Sequence, residues 1–311
     1  MMMDLTLSYR PTGSAIHRLH PLVMVSWLIA VLIAALAVQH PVWLLAVFLT
    51  TVPVAQAARV LAPWRYVMRF VLWMALAIVV VNLLVSNQGS HVLLEARFRL
   101  PLVGVPRLTV EALAFGITMA LRLAAIISAF TLLNLCVHPD DLMRAAIKLR
   151  LPYRSVLVTS LSIRFLPVLM QDARTISDVQ QSRGLSFDRG GIVQRIRSRG
   201  ALILPLLSNS LDRAVQVAEA MESRAYGAPV SRTFYRDVPP ANHDIALVVA
   251  MCGGMVLLAA ARLAGFGSYE FYPSVGDLSL TYRSWLMLGG LCAVLLSVAA
   301  AGVLVREAGD D

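Results

Sequence analysis

Six stretches of the chain, roughly residues 22–38, 41–60, 67–86, 109–136, 245–264 and 284–305, are each a run of predominantly apolar side chains. A helix needs about 20 such residues to cross a bilayer. Of the 311 residues, 58% are hydrophobic and only 14% are charged, and the mean hydropathy is +0.72. A soluble domain carries about 25% charged residues. A buried core alone cannot absorb so much apolar sequence. The expected fold is therefore an all-α integral membrane protein with about six transmembrane helices.

Four of these runs precede residue 138 and two follow residue 243. The stretch between them, 138–243, is amphipathic and holds 15 of the 27 cationic side chains. Three parts follow: an N-terminal membrane part, 1–137, an amphipathic helical part, 138–243, and a C-terminal membrane part, 244–311. Arg and Lys accumulate on cytoplasmic segments. That rule places 138–243 inside, together with the 61–66 loop flanked by Arg59, Arg65 and Arg69 and both chain termini. The segments 87–108 and 265–283 then lie outside. A basic stretch, an apolar run and Ala35-Leu36-Ala37 superficially resemble a signal peptide, but the run starts late and another follows it at once.

Helical period is most legible in the 138–243 stretch. A short helix is expected to begin at Pro139, Asp140 and Asp141 and to stop before Pro152. A long helix spans 153–183, with Pro167 a kink point and a thin apolar stripe at Leu169, Ala173, Ile176 and Val179. A second long helix runs from about 193 to 225. Its seam, Leu204, Leu207, Leu211, Ala214, Ala218, Met221 and Ala225, steps alternately by three and four. The small residues Ala214 and Ala218 would let another helix cross closely. Neither stripe is wide enough for a globular core.

The same stretch repeats one tripeptide: Ser182-Arg183-Gly184, Ser198-Arg199-Gly200 and Ser223-Arg224-Ala225. The first and third fall at helix ends, whereas the second opens the second long helix beside Arg195 and Arg197. A terminal Arg before a Gly can be an ordinary cation at a helix C-terminus, stabilising it by about 0.3–1 kcal/mol. It can equally be a prong: small neighbours admit a partner surface, and a guanidinium pairs bidentately with a carboxylate there. Arg195, Arg197 and Arg199 read more simply as contacts to anionic lipid.

With "IHRLHP" at 16–21, "LRLAAIISAFTLLNL" at 121–135, "PDDLMRAAIKLRLP" at 139–152, "SIRFLPVLMQDARTISDVQQSRG" at 162–184 and "LPLLSNSLDRAVQVAEAMESRAYG" at 204–227, the chain resembles the transmembrane T component (EcfT/CbiQ/BioN type) of energy-coupling factor transporters. The resemblance covers about residues 16–240. It implies cytoplasmic coupling helices, long and crossed, whose ends carry Ala-Arg-Gly-like triplets docking into grooves of two ABC ATPase subunits. By position those triplets are Ser182, Arg183 and Gly184, and Ser223, Arg224 and Ala225. The crossing would use Leu207, Leu211, Ala214, Ala218 and Met221. It further implies a substrate-binding S component as partner, a prokaryotic cell (inner) membrane, and uptake of a vitamin or transition-metal ion. Ala225 departs from the usual Gly, which implies a less close approach at the second tip.

Arg122 falls mid-span, where a charge costs about 2.5–3.5 kcal/mol on insertion scales. It is read as a structural, bundle-facing residue paired with a neighbour such as Asn82 or Asn134. Arg164 and Pro167 are expected to fix where the coupling helix leaves the membrane surface. There is no Walker lysine loop, no H-E-x-x-H and no nucleophile elbow, so the chain is expected to be non-catalytic, without cofactor or metal. Cys136, Cys252 and Cys292 lack metal-ligand spacing and read as buried apolar side chains. Acidic residues interspersed among the arginines argue against nucleic acid as a partner. The alternative is a conventional ABC permease or an ATP-independent secondary transporter, which would line a mid-membrane path with polar groups.

Overall fold

The computed structural model describes residues 14–86, 91–95, 107–148, 152–184, 191–226, 241–271, 276 and 280–307. They form helices α1 (Ala15–Arg18), α2 (Pro21–Ala37), α3 (Pro41–Ala57), α4 (Leu61–Val85), α5 (Val110–Cys136), α6 (Pro139–Lys148), α7 (Tyr153–Ser182), α8 (Ile192–Ser223), α9 (Asn242–Leu263) and α10 (Tyr282–Glu307). The protein is an all-α integral membrane protein. One departure lies between α4 and α5, where β1 (Val92–Glu95) pairs antiparallel with β2 (Arg107–Thr109). The chain divides into two compact units, one of residues 1–142 with 238–311 and one of residues 143–237.

Each of the six apolar runs forms one helix of the first unit. α2 and α3 have 17 residues each, about 26 Å of helix against a hydrocarbon core of about 30 Å, and α3 stops short of the end of its apolar run 41–60. The same motif starts both. Pro21 and Pro41 occupy the first helical position, and the preceding His20 and His40 accept the Leu22 and Val42 N–H groups on Nδ1, at 3.2 and 3.3 Å. Proline costs nothing there because that N–H has no intrahelical partner. His40 stacks edge-on to Tyr269, and burial lowers its pKa below the usual 6.5. The folded chain thus favours the neutral imidazole that can accept at Nδ1. The unfolded chain takes up the proton more readily, so this contribution is complete above pH 6.5 and is lost as pH falls.

The core of this unit runs through Trp27, Val31, Trp43, Leu44, Val47, Leu132, Leu135, Met251 and Leu295, all nearly inaccessible to solvent. Several polar groups inside it are satisfied locally, whereas Trp43 Nε1 has no hydrogen-bond partner among the described residues. Trp27 Nε1 donates to the Leu295 carbonyl at 3.1 Å, joining α2 to α10. Trp64 Nε1 donates to Ser128 Oγ, Ser128 Oγ to Thr51 Oγ1, and Thr51 Oγ1 to the Phe48 carbonyl, each within 2.8 Å. That relay ties α4, α5 and α3 together. An unmade hydrogen bond in such a place would cost about 1–3 kcal/mol. Gly254 lets α9 approach α10, since a Cβ there would lie 2.8 Å from Val294 Cγ1.

Contacts also fix which helix ends share a face. Asp244 near the start of α9 accepts the His20 N–H at 3.2 Å, so α2 and α9 begin on one side. A Cβ on Gly302 would meet Ile16 and Ala57, which brings the end of α10 and the end of α3 to that side. At the opposite face the Gly267 carbonyl after α9 accepts the Gln39 and His40 N–H groups. The short 38–40 connection therefore joins two antiparallel membrane helices.

Arg122 resolves differently from expectation. Its Nε donates to the Ala35 carbonyl and its Nη2 to the Val38 carbonyl, both at 2.9 Å, with Nη1 3.4 Å from Met119 Sδ. Asn82 instead bonds its own helix at the Ile78 carbonyl, and Asn134 is exposed. The guanidinium closes the end of α2, where the last carbonyls lack partners and the macrodipole is negative. The cysteines are free; Cys136 is buried, but Cys252 is exposed.

Among the described residues five helices are long and apolar enough to cross a membrane by length and composition: α4, α5, α9, α10 and, unexpectedly, Ser155–Ser182 of α7, the least apolar of the five. Its N-terminal half is the reason it qualifies: Val156, Leu157, Val158, Leu161, Ile163 and Phe165 follow in close succession.

Replacing Arg122 with Met is expected to destabilise the protein by about 1–3 kcal/mol, because two buried carbonyls lose their donors. Thermal unfolding of the detergent-solubilised chain measures it, with Arg122→Lys recovering part of the loss.

Candidate functional site: two matched helix tips

The second unit contains α7 and α8, which pack on one another. At the end of α7, Ser182 is the last helical residue and its Oγ donates to the Val179 carbonyl at 2.8 Å. Arg183 is the cap residue, and Gly184 follows with φ +89°. The Gly184 N–H returns to the Gln181 carbonyl at 2.9 Å. At the end of α8 the pattern recurs. Ser223 Oγ donates to the Ala220 carbonyl at 3.0 Å, Arg224 is the cap residue, and Ala225 follows with φ +53°. The Ala225 N–H reaches the Glu222 carbonyl at 2.8 Å and the Tyr226 N–H the Met221 carbonyl at 2.9 Å. These two bonds constitute a Schellman cap.

The cap decides what each arginine is free to do. The Val179 and Gln181 carbonyls of α7, and those of Ala220, Met221 and Glu222 on α8, accept from backbone N–H groups or serine hydroxyls, so these ends are closed without either guanidinium. Arg183 and Arg224 are exposed, and neither side chain has a hydrogen-bond or ionic partner among the described residues. Both stand at a turn whose backbone N–H groups bond back to the helix. The middle tripeptide is different in kind: Ser198, Arg199 and Gly200 lie inside α8, which begins at Ile192.

Ala225 occupies the left-handed region that costs an L-residue about 1–2 kcal/mol. The chain therefore keeps the glycine-type backbone at the second tip with one methyl group added. The difference between the tips is steric and energetic, while their backbone course is shared.

The expected crossing seam needs correction. Leu204, Leu207 and Leu211 are 76%, 53% and 58% exposed, and Ala214 and Ala218 are exposed as well. Of that seam's central residues only Met221 is half-buried. The face of α8 that goes half-buried carries Leu206, Ser210, Arg213, Val217 and Met221. On α7, Leu169, Asp172, Ala173 and Ile176 are half-buried, as the stripe suggested, but Val179 is exposed. The reason for the rotation is an ion pair: Arg213 Nη2 donates to Asp172 Oδ2 at 2.8 Å. Arg213 precedes Ala214 by one residue, a turn of about 100° on a helix, and so draws the neighbouring face inward.

This pair is placed symmetrically. Each tip arginine lies eleven residues beyond its member of the pair, 172 to 183 on α7 and 213 to 224 on α8, about 16 Å along either helix. Arg164 and Pro167 are exposed on the N-terminal half of α7, and the helix runs through Pro167 without interruption. No group of His, Cys, Asp and Glu fit to hold a metal ion occurs among the described residues.

The described residues thus comprise a multi-pass helical unit and a helix pair with an exposed arginine at the end of each helix. The family model described as "CbiQ: Cobalt transport protein" matches residues 12–235. The energy-coupling factor transporter transmembrane protein EcfT of Heliobacterium modesticaldum is 32% identical over 276 residues, covering 85% of this chain and 100% of the relative. EcfT of Bacillus subtilis is 29% identical over 275 residues, covering 83% and 97%. A putative ABC transporter ATP-binding protein of Bifidobacterium longum is 29% identical over 251 residues, which are 78% of this chain but only 31% of that protein. The chain belongs to the CbiQ family and is the transmembrane, energy-coupling T component of an energy-coupling factor transporter.

Two experiments test the geometry. Ala225→Gly is expected to stabilise the α8 tip by about 1 kcal/mol through relief of the left-handed strain, seen as slower amide exchange at Ala220–Ser223. Reversing one charge, Asp172→Arg, is expected to loosen α7 from α8. Adding Arg213→Asp restores the pair, and a spin-label distance between positions 182 and 223 reports both steps.

Proposed function

We propose that the two tips are the docking points for a pair of ABC ATPase subunits. The observation that carries this reading is the backbone cap common to both helix ends, which leaves Arg183 and Arg224 unengaged. Closure of an ATPase dimer on ATP would move the tips, and the helix pair, joined at Asp172–Arg213, would convert that movement into rotation of α7 against α8. The resemblance to EcfT proteins, and to a protein named for ATP binding in which the matching part is about a third of the length, supports the assignment. ATP hydrolysis then belongs to the partners and this chain is non-catalytic. A substrate-binding S component would rest on the exposed Leu204, Leu207, Leu211, Ala214 and Ala218 face, which pairs with no other described helix. Cobalt is the cargo that the family's description names; a vitamin or another transition-metal ion fits the same machinery.

The membrane sidedness follows from charge. The arginine-rich 138–243 stretch and the chain ends belong on the cytoplasmic side of a prokaryotic cell membrane. A self-sufficient secondary transporter would need polar groups lining a mid-membrane path. Arg122, Thr51 and Ser128 are instead engaged by the protein's own helices.

The test is uptake into vesicles containing the full complex. A desolvated Arg–carboxylate contact broken on one side costs on the order of 3–5 kcal/mol, so Arg183→Ala with Arg224→Ala is expected to abolish uptake and release the ATPases on purification. Membrane insertion should be unaffected. Wild-type uptake by the double variant rejects the docking assignment.

A further inference from the structure

The outer face of α4 and α5 holds a groove of about 830 Å³. Two anchor points bound it. At one, Trp64 Nε1 donates to Ser128 Oγ; at the other, Gly116 admits Val79, whose Cα would lie 3.2 Å from a Cβ at that glycine. Between them the helices part, and Leu72, Leu76, Ile117, Leu121 and Ala124 line an almost wholly apolar channel. Its remaining lining residues include Arg65 and Arg69. They stand four residues apart, hence on one face of α4. Both are exposed, and neither has a hydrogen-bond or ionic partner among the described residues. Tyr66 beside them is 60% exposed, in keeping with a membrane–water boundary where Tyr and Trp concentrate.

We infer that this groove binds one anionic phospholipid, its phosphate headgroup held by Arg65 and Arg69 and an acyl chain lying between α4 and α5. Length supports the assignment. From Arg69 to Val79 is about 15 Å of helix, half of a hydrocarbon core of about 30 Å, which is the depth of one leaflet. Charge supports it too: guanidinium pairs phosphate oxygens bidentately. A zwitterionic headgroup would bring its own cation against the pair. A protein side chain of matching form would have to be anionic at one end and apolar over one leaflet's depth. The inference rests on the membrane placement of the bundle, with the start of α4 at the inner leaflet where anionic lipids attract arginine.

The test reconstitutes the full chain in phosphatidylcholine vesicles containing a small fraction of phosphatidylglycerol with a photoactivatable acyl chain, or the equivalent phosphatidylcholine probe. Labelled peptides are mapped by mass spectrometry. Phosphatidylglycerol is expected to label the groove residues of α4 and α5 roughly tenfold more than phosphatidylcholine. Arg65→Gln with Arg69→Gln should reduce that labelling to the phosphatidylcholine level, and Arg65→Lys with Arg69→Lys should retain most of it. Equal labelling by the two probes overturns the inference, as does an unchanged Gln variant. Competition by soluble glycerol 3-phosphate would make the site one for a free anion. Loss of groove labelling when the S component is co-assembled would make it a protein interface. Either outcome overturns the lipid assignment. ATPase docking is not read in this experiment, so failure here leaves the tips' assignment standing.

Discussion

A helix that stops leaves its last carbonyls without partners, and how each helix of this protein meets that requirement shapes both units. In the membrane unit α2 ends after only 17 residues. There is no nearby glycine cap; the guanidinium of Arg122, carried on α5, supplies the donors to Ala35 and Val38. The same side chain therefore ends one helix and locks it to another. In the second unit the backbone closes its own ends through a left-handed residue, at Gly184 and at Ala225. The arginines beside those residues are left over. One chemical need, met by a side chain in one place and by the backbone in another, separates a structural arginine from two available ones.

Most of α8 is exposed or half-exposed, and its contact with α7 is narrow. An ion pair between side chains 35% and 24% exposed contributes about 1 kcal/mol or less, so Asp172–Arg213 sets orientation more than stability. Such a joint permits movement. The membrane unit contrasts with it: Trp27, Trp64, Ser128 and Thr51 link five helices through hydrogen bonds in a buried interior, where the low local dielectric makes each bond harder to break. A stiff bundle and a loosely joined lever suit a subunit that passes motion along.

Much of this was legible in the chain itself. Six apolar runs produced six helices, because hydrocarbon tolerates few other arrangements of backbone. Helix limits at Pro139, Tyr153 and Ser182 followed from proline and glycine placement, and the unequal status of the three arginine tripeptides followed from their positions. The seam at Leu207, Leu211, Ala214 and Ala218 was real as a periodicity, yet periodicity identifies a stripe without saying what covers it. The His–Pro pairs at 20–21 and 40–41 were a readable cap signal that composition concealed.

Sequence by itself determined that this chain lives in a bilayer, that its cations gather in one long helical stretch, and that two arginines end two helices. Those properties depend on solvation and on local backbone preference, which neighbouring residues fix. Tertiary structure alone decided that Arg122 caps α2, that Arg213 turns α8 toward Asp172, and that Arg65 and Arg69 head an apolar groove. Each of those pairings joins groups remote in the chain or on different helices, and distance and direction between them exist only once the helices have packed.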